Sequence, residues 1–165
     1  MNDLILRSAD ERDLPAITAI YNQAVLTTTA TFDTDPVSLD SRLAWFNNRN
    51  TDFPVIVAVV SGNVVGYAAL SRWSDRRAFD ISAELSLYVD AAHHGQGVGK
   101  ALLKRILEMA DTTQLYTVMV RITAENEISL KMHAQVGFLE VGVLRHCGIK
   151  FGRVLDVVFM QKLLR

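Results

Sequence analysis

The spacing of hydrophobic positions changes several times along the chain, and each change marks an element. Leu4 and Leu6 read as a short first strand. Ser8 to Asp13 is polar and acidic, a helix start with Ser8 or Asp10 as the cap. Leu14, Ile17, Ile20, Tyr21 and Ala24 then form one helical face, with Pro15 in the first turn, where a missing N–H is tolerated. Residues 26–36 (LTTTATFDTDP) are irregular and polar, with one aromatic, Phe32. Pro36 and Ser38 open a second helix through Leu43, Trp45 and Phe46, which residues 47–52 end. Residues 55–60 (VIVAVV) are continuously apolar, as a strand buried on both faces would be. Ser61-Gly62-Asn63 is a hairpin turn, and 64–70 is the returning strand. Residues 71–80 form a polar, arginine-rich loop.

The next stretch, residues 84–103 (ELSLYVDAAHHGQGVGKALL), organises the rest. Leu85, Leu87 and Val89 alternate with Glu84, Ser86 and Tyr88, the period of a half-buried strand. Gly95, Gly97 and Gly99 follow a short polar turn, and from Val98 the apolar residues adopt the helical period through Ala110. Residues 115–122 are another strand. Residues 125–136 contain a helix with Ile128, Leu130, Met132 and Val136 toward the core, closed by Gly137. Residues 138–143 and 154–160 are two last strands, with 147–153 (CGIKFGR) as the turn between them. The order β, α, α, three strands, α, β, α, β, β predicts a mixed α/β (α+β) class.

Composition narrows the function classes. With 165 residues, 50% hydrophobic and 21% charged, the chain fits one domain, residues 1–165, with an ample core. A net charge of −1 gives no sign of nucleic-acid binding, and no run approaches the length of a membrane span. The single cysteine, Cys147, and the absence of a signal peptide point to the cytoplasm. His93 and His94 are adjacent, but no further ligands surround them, so no metal site is expected.

A strand, a glycine loop and a helix N-terminus make an anion cradle, because unpaired helix N–H groups meet a backbone that can approach closely. The P-loop pattern fails here: His94 stands where its first glycine belongs, and Ala101 where its hydroxyl belongs. The dinucleotide pattern G-x-G-x-x-G also fails, at Lys100 or Leu102. What remains resembles the pyrophosphate loop [QR]-x-x-G-x-[GA] of the GCN5-related N-acetyltransferase (GNAT) family, matched by Gly97-Val98-Gly99, with His94 departing at the first position. Residues 126–138 (NEISLKMHAQVGF) resemble a second family segment through Asn126, Ser129, Met132, His133, Gly137 and Phe138. Most of the chain, including 21–25, 27–36, 76–89 and 148–161, resembles the phosphinothricin/methionine sulfoximine acetyltransferase-like group, with Val154 departing from an expected aromatic.

The resemblance implies a central sheet of about seven strands flanked by about four helices. It implies acetyl-CoA as co-substrate, direct transfer to the amine of a small amino-acid-like acceptor, and a homodimer. Direct transfer requires that the amine lose a proton, that the oxyanion be stabilised and that the thiolate leave. On this pattern Glu84 is the general base and His133, where the family usually has Tyr, the general acid. The co-substrate would lie on Leu87, Tyr88, Val89, His94, Gly95, Gln96, Gly97, Val98, Gly99, Lys100, Asn126 and Ser129. Arg72, Arg76 or Arg77 would hold the acceptor's carboxylate, since a guanidinium forks onto one, and Phe32 and Phe79 would wall its side chain. Two other readings use the same fold: a protein or peptide N-acetyltransferase, and an acyl-CoA-binding sensor that would need no Glu84.

Overall fold

The computed structural model of the chain describes residues 4–165. Among them it forms β1 (Ile5–Ser8), α1 (Leu14–Thr27), α2 (Leu39–Asn47), β2 (Val55–Val60), β3 (Asn63–Arg72), β4 (Ser82–Val89), α3 (Val98–Ala110), β5 (Thr117–Thr123), α4 (Glu127–Gln135), β6 (Leu139–Lys150) and β7 (Arg153–Leu163). The seven strands make one sheet in the order β1-β2-β3-β4-β5-β7-β6. Neighbours run antiparallel except β4 and β5, which are parallel. The expected mixed sheet with four helices is what forms. No helix among the described residues is long and apolar enough to cross a membrane.

Strand alternation sends side chains to two separate cores. Val55, Val57 and Val59 of β2, with Tyr67 and Ala69 of β3, meet Leu14, Ile17 and Ile20 of α1 and Trp45 and Phe46 of α2. Ile56 and Ala58 of β2, with Ala68 and Leu70 of β3, face the opposite way onto α3. That helix buries Val98, Leu102, Leu103, Ile106, Leu107 and Ala110, each large side chain worth about 1.5–3 kcal/mol. On β4, Leu85 joins the α3 core, so Glu84, Ser86 and Tyr88 fall on the face covered by α1 and α2. Asp10 is the residue that caps the first turn, accepting from the Arg12 N–H.

Two expectations need correction. Ile128 is 83% exposed and does not face the core, whereas Leu130, Met132 and Val136 pack against it. The helix is turned so that Ser129 and His133 face a gap in the sheet, which carries Ile128 to the outside. The last two strands are also longer than the sequence suggests. β6 runs to Lys150, and the turn is only Phe151-Gly152, with φ of 51° and 69°. Pairing to β7 continues past irregularities between Glu140 and Gly142 and between Leu144 and Gly148, which absorb the breaks in alternation.

Candidate active site

β4 and β5 pair over only three positions, Ser82 with Thr117, Ala83 with Val118 and Glu84 with Met119. Beyond Glu84 the strands part. β4 stays bonded to β3 as far as Val89, and β5 stays bonded to β7. The Asp90 N–H is bonded to Val65 of β3, so by strand alternation the N–H groups of Leu87 and Val89, past the last pair with β5, point to the other side, into the gap. A small cavity lies there, lined by Leu85, Leu87, Val120, Ile122, Asn126, Ser129 and His133 among others.

The glycine loop closes one end of the gap. Gly97 is the N-cap of α3, with φ of 82° and no side chain to cap the helix; the first N–H bonded back within the helix is that of Ala101, to the Gly97 carbonyl. The N–H groups of Val98, Gly99 and Lys100 therefore present the positive end of a 13-residue helix without an intrahelical partner. Gly95, at φ 73°, turns the chain into this loop. Gln96 folds back, its amide donating to the Ala92 carbonyl, and His94 Nε2 donates to the Val89 carbonyl at 2.8 Å. Both side chains are thus tied to backbone carbonyls of β4 and of the loop. A free strand edge beside uncapped helix N–H groups fits an elongated ligand with an amide-bearing arm and a pyrophosphate.

On the α1–α2 face, the gap opens into a second cavity of about 690 Å³. Glu84, Ser86, Tyr88, Arg121 and Thr123 line both, so they surround the junction. Glu84 is held by a bidentate ion pair: Arg121 Nε donates to Oε1 at 2.6 Å and Nη2 to Oε2 at 2.8 Å. This bond is the foremost cause raising the Arg121 pKa further. Each carboxylate oxygen keeps a lone pair for a further donor.

His133 is 2% exposed. Its Nδ1 meets the Ser129 carbonyl at 2.8 Å, and a carbonyl only accepts, so the proton is on Nδ1. Nε2 is buried without a partner among the described residues. Burial lowers the His133 pKa, against a smaller opposing effect of the Ser129 carbonyl. In this arrangement Nε2 presents its lone pair to the gap. Asn126 Oδ1 accepts the Ser129 N–H as the cap of α4, leaving its amide NH₂ as the free end.

Of the residues expected around the acceptor, Phe32 lines the large cavity. Arg72, Arg76, Arg77 and Phe79 do not. β3 continues to Arg72, and because Ser71 faces the cavity, alternation turns Arg72 away, where it pairs with Asp80. The guanidiniums in the cavity wall are Arg42 and Arg121, which the sequence reading did not single out. Two signals were present: Arg121 is a charge in the middle of an apolar strand, and Arg42 shares helical spacing with Trp45 and Phe46. Among the described residues, no three His, Cys, Asp or Glu side chains cluster as metal ligands would.

A split sheet whose free edge meets an uncapped helix, beside a cavity with a carboxylate at the junction, defines an acyl-CoA-dependent transferase. The acetyltransferase (GNAT) family model matches residues 17–138, and the chain belongs to that family. It is similar to a methionine sulfoximine/methionine sulfone acetyltransferase of Salmonella typhimurium, 38% identical over 96% of this chain and 93% of that one. Two solved structures superpose closely. One is a ribosomal-protein-alanine N-acetyltransferase from Brucella melitensis, with TM-score 0.93 and 43% identity over 96% of this chain and 99% of that one. The other is a phosphinothricin acetyltransferase from Sinorhizobium meliloti in complex with acetyl-CoA, with TM-score 0.93 and 32% identity over 97% and 88%.

Proposed function

We propose that the protein transfers the acetyl group of acetyl-CoA to the amine of a small amino-acid-like acceptor of the methionine sulfoximine or phosphinothricin type. The observation that carries this reading is the junction, where one carboxylate, Glu84, borders both the gap and the larger cavity. Bound in the gap, acetyl-CoA would supply an activated acetyl thioester. The N–H groups of Val98, Gly99 and Lys100 would hold its pyrophosphate, with Gly95, Gln96 and Gly97 shaping the loop. Leu87 and Val89 have N–H groups free to stabilise negative charge on the acyl oxygen. Asn126 and Ser129 would bind the pantetheine arm, with Tyr88 and His133 as walls.

Glu84 would take the proton that the acceptor's ammonium must lose, directly or through one water. Arg121 fixes the orientation of that carboxylate and keeps it from swinging out of line. Replacing Glu84 with Gln leaves shape but no base; kcat should fall about 10²–10⁴-fold with acetyl-CoA binding retained. Thiol release from acetyl-CoA over a panel of amino acids tests both points. A panel without release, while acetyl-CoA binds, ends the enzyme reading; an unchanged rate in Glu84→Gln ends the assignment of the base.

A second reading, acetylation of a protein N-terminus, is favoured by the likeness to the Brucella melitensis structure. An alanine-initiated peptide in the same panel separates the two. We also read the protein as a cytoplasmic homodimer. The exposed apolar side chains Leu139 and Val141 at the start of the edge strand support a second copy there, and light scattering checks it.

A further inference from the structure

Arg42 is an unusual residue for a cavity wall. It is 8% exposed, yet among the described residues its side chain makes no hydrogen bond and no ion pair, and its Nε is buried without a partner. A buried guanidinium without a carboxylate is costly, and proteins rarely keep one without a use for it. Its only compensation is aromatic. Its Cζ lies 4.6 Å from the centres of both the Tyr21 and the Trp45 rings. Arg49 lies 4.4 Å from the same Trp45 ring and is likewise without a carboxylate, donating instead to the Phe53 carbonyl and the Ser71 hydroxyl. Burial, and secondarily Arg42, lower the Arg49 pKa to about 10, as expected where positive charge is concentrated. The acids lining the cavity are Glu84, which is paired with Arg121, and Asp33, which accepts from the Tyr21 hydroxyl.

Position decides what Arg42 can meet. Tyr21 packs on Tyr88 with ring centres 5.1 Å apart, so Arg42 stands at the Tyr88 end of the cavity. Glu84 is four residues from Tyr88 on β4, roughly 13 Å along the strand at about 3.3 Å per residue. An acceptor with its amine at Glu84 and its side chain laid along β4 toward Tyr88 would bring the tip of that side chain to Arg42.

We propose that Arg42 determines acceptor specificity by binding a pair of oxygens at the far end of the acceptor's side chain, as in a carboxylate, phosphinate or sulfone. The inference rests on the acceptor reading above and adds which part of the acceptor is recognised, and by what. A guanidinium is a donor-only fork, so it favours two adjacent acceptor oxygens and gains nothing from a thioether tip.

The test compares L-methionine sulfone with L-methionine, which differ only in the two oxygens. Calorimetric binding to the CoA-loaded protein and steady-state thiol release are measured for the wild type, Arg42→Met and Arg42→Lys. The wild type should favour the sulfone at least about tenfold, the worth of a charge-assisted hydrogen bond. Arg42→Met should bring the two acceptors within about threefold, through KM and not kcat, and Arg42→Lys should retain part of the preference. Because a buried guanidinium held only by aromatic rings gives way to an apolar side chain that can keep the same contacts, Arg42→Met should melt no lower than the wild type. A wild type without preference, or an Arg42→Met variant that keeps it or loses both acceptors equally, overturns the proposal. Tip-selective binding without thiol release would uphold Arg42 and defeat the transferase reading; thiol release without tip selectivity would do the reverse.

Discussion

Gly148 is the position where one added carbon should reshape the acceptor cavity. A Cβ built there would lie 2.3 Å from Phe32 Cε2, 2.7 Å from Cδ2 and 3.3 Å from Cζ. Carbon contacts want about 3.5–4.0 Å, so the ring must retreat by more than about 1 Å. Its backbone has little freedom to follow. The Thr31 carbonyl accepts from Lys150 Nζ at 2.7 Å, the Thr31 and Tyr21 hydroxyls are bonded at 2.9 Å, and Asp33 accepts from Tyr21. The ring must therefore rotate, and at 38% exposure it has solvent to rotate into. Overpacking costs about 1–3 kcal/mol in a closed core, and this escape route puts Gly148→Ala at the low end. For a chain of this length that is a fall in Tm of about 2–4 °C. The cavity loses an aromatic wall worth about 1–2 kcal/mol of acceptor contact, so acceptor KM should rise about 5–30-fold with acetyl-CoA KM unchanged. A double-mutant cycle isolates the cause: Phe32→Ala should raise KM alone, and adding Gly148→Ala to it should do almost nothing more. Additive effects of the two substitutions, or a lowered Tm with unchanged KM, would refute the argument.

Gly97→Ala tests the loop at the other end. Nothing lies within 4 Å of the added Cβ, so the cost is the left-handed φ alone, about 1 kcal/mol of strain. Acetyl-CoA KM should rise well beyond what the small change in Tm suggests, because relieving that strain re-aims the helix N–H groups. Glu125 tests the tie between the 28–37 segment and β7. Its carboxylate accepts two bonds from Arg153, at 2.8 and 2.9 Å, and one from Thr29, and these in that order lower its pKa to about 2. A depressed carboxylate adds stability above its unfolded value, near 4.5, and loses it as pH falls toward 2. The drop in Tm across that window should be smaller in Glu125→Gln than in the wild type; identical pH profiles would remove Glu125 from the account.

The sequence showed some parts of the site plainly and hid others, and the range of the determining contacts explains which. The strand–glycine–helix unit was legible because every signal in it is local: the alternation of Leu85, Leu87 and Val89, the glycine at the helix cap, the helical period from Val98. The face on which Glu84 lies followed from alternation alone. The acceptor end depends on contacts between distant segments. Arg121 reaches Glu84 only because β4 and β5 pair at Glu84 and Met119, 35 residues apart in sequence, so that Arg121 falls two positions further along the same face. Arg72 was chosen for its company in a basic loop, yet one residue of register on β3 turns it outward. Arg42 is informative because, among the described residues, no acid pairs with it, and no local pattern reports a missing partner. Ile128 was misread for a related reason: the i, i+4 stripe it makes with Met132 is real, but α4 gives its inward side to Ser129 and His133. In each case a polar residue occupies a face that packing alone would fill with carbon. Glu84 and Arg121 satisfy each other there, whereas Arg42 lowers stability where it stands until a ligand supplies its partner. The cavity of this protein is accordingly located best by where Arg42, Glu84 and Arg121 interrupt an otherwise apolar pattern, and the unpaired member, Arg42, is the one whose partner must come from outside.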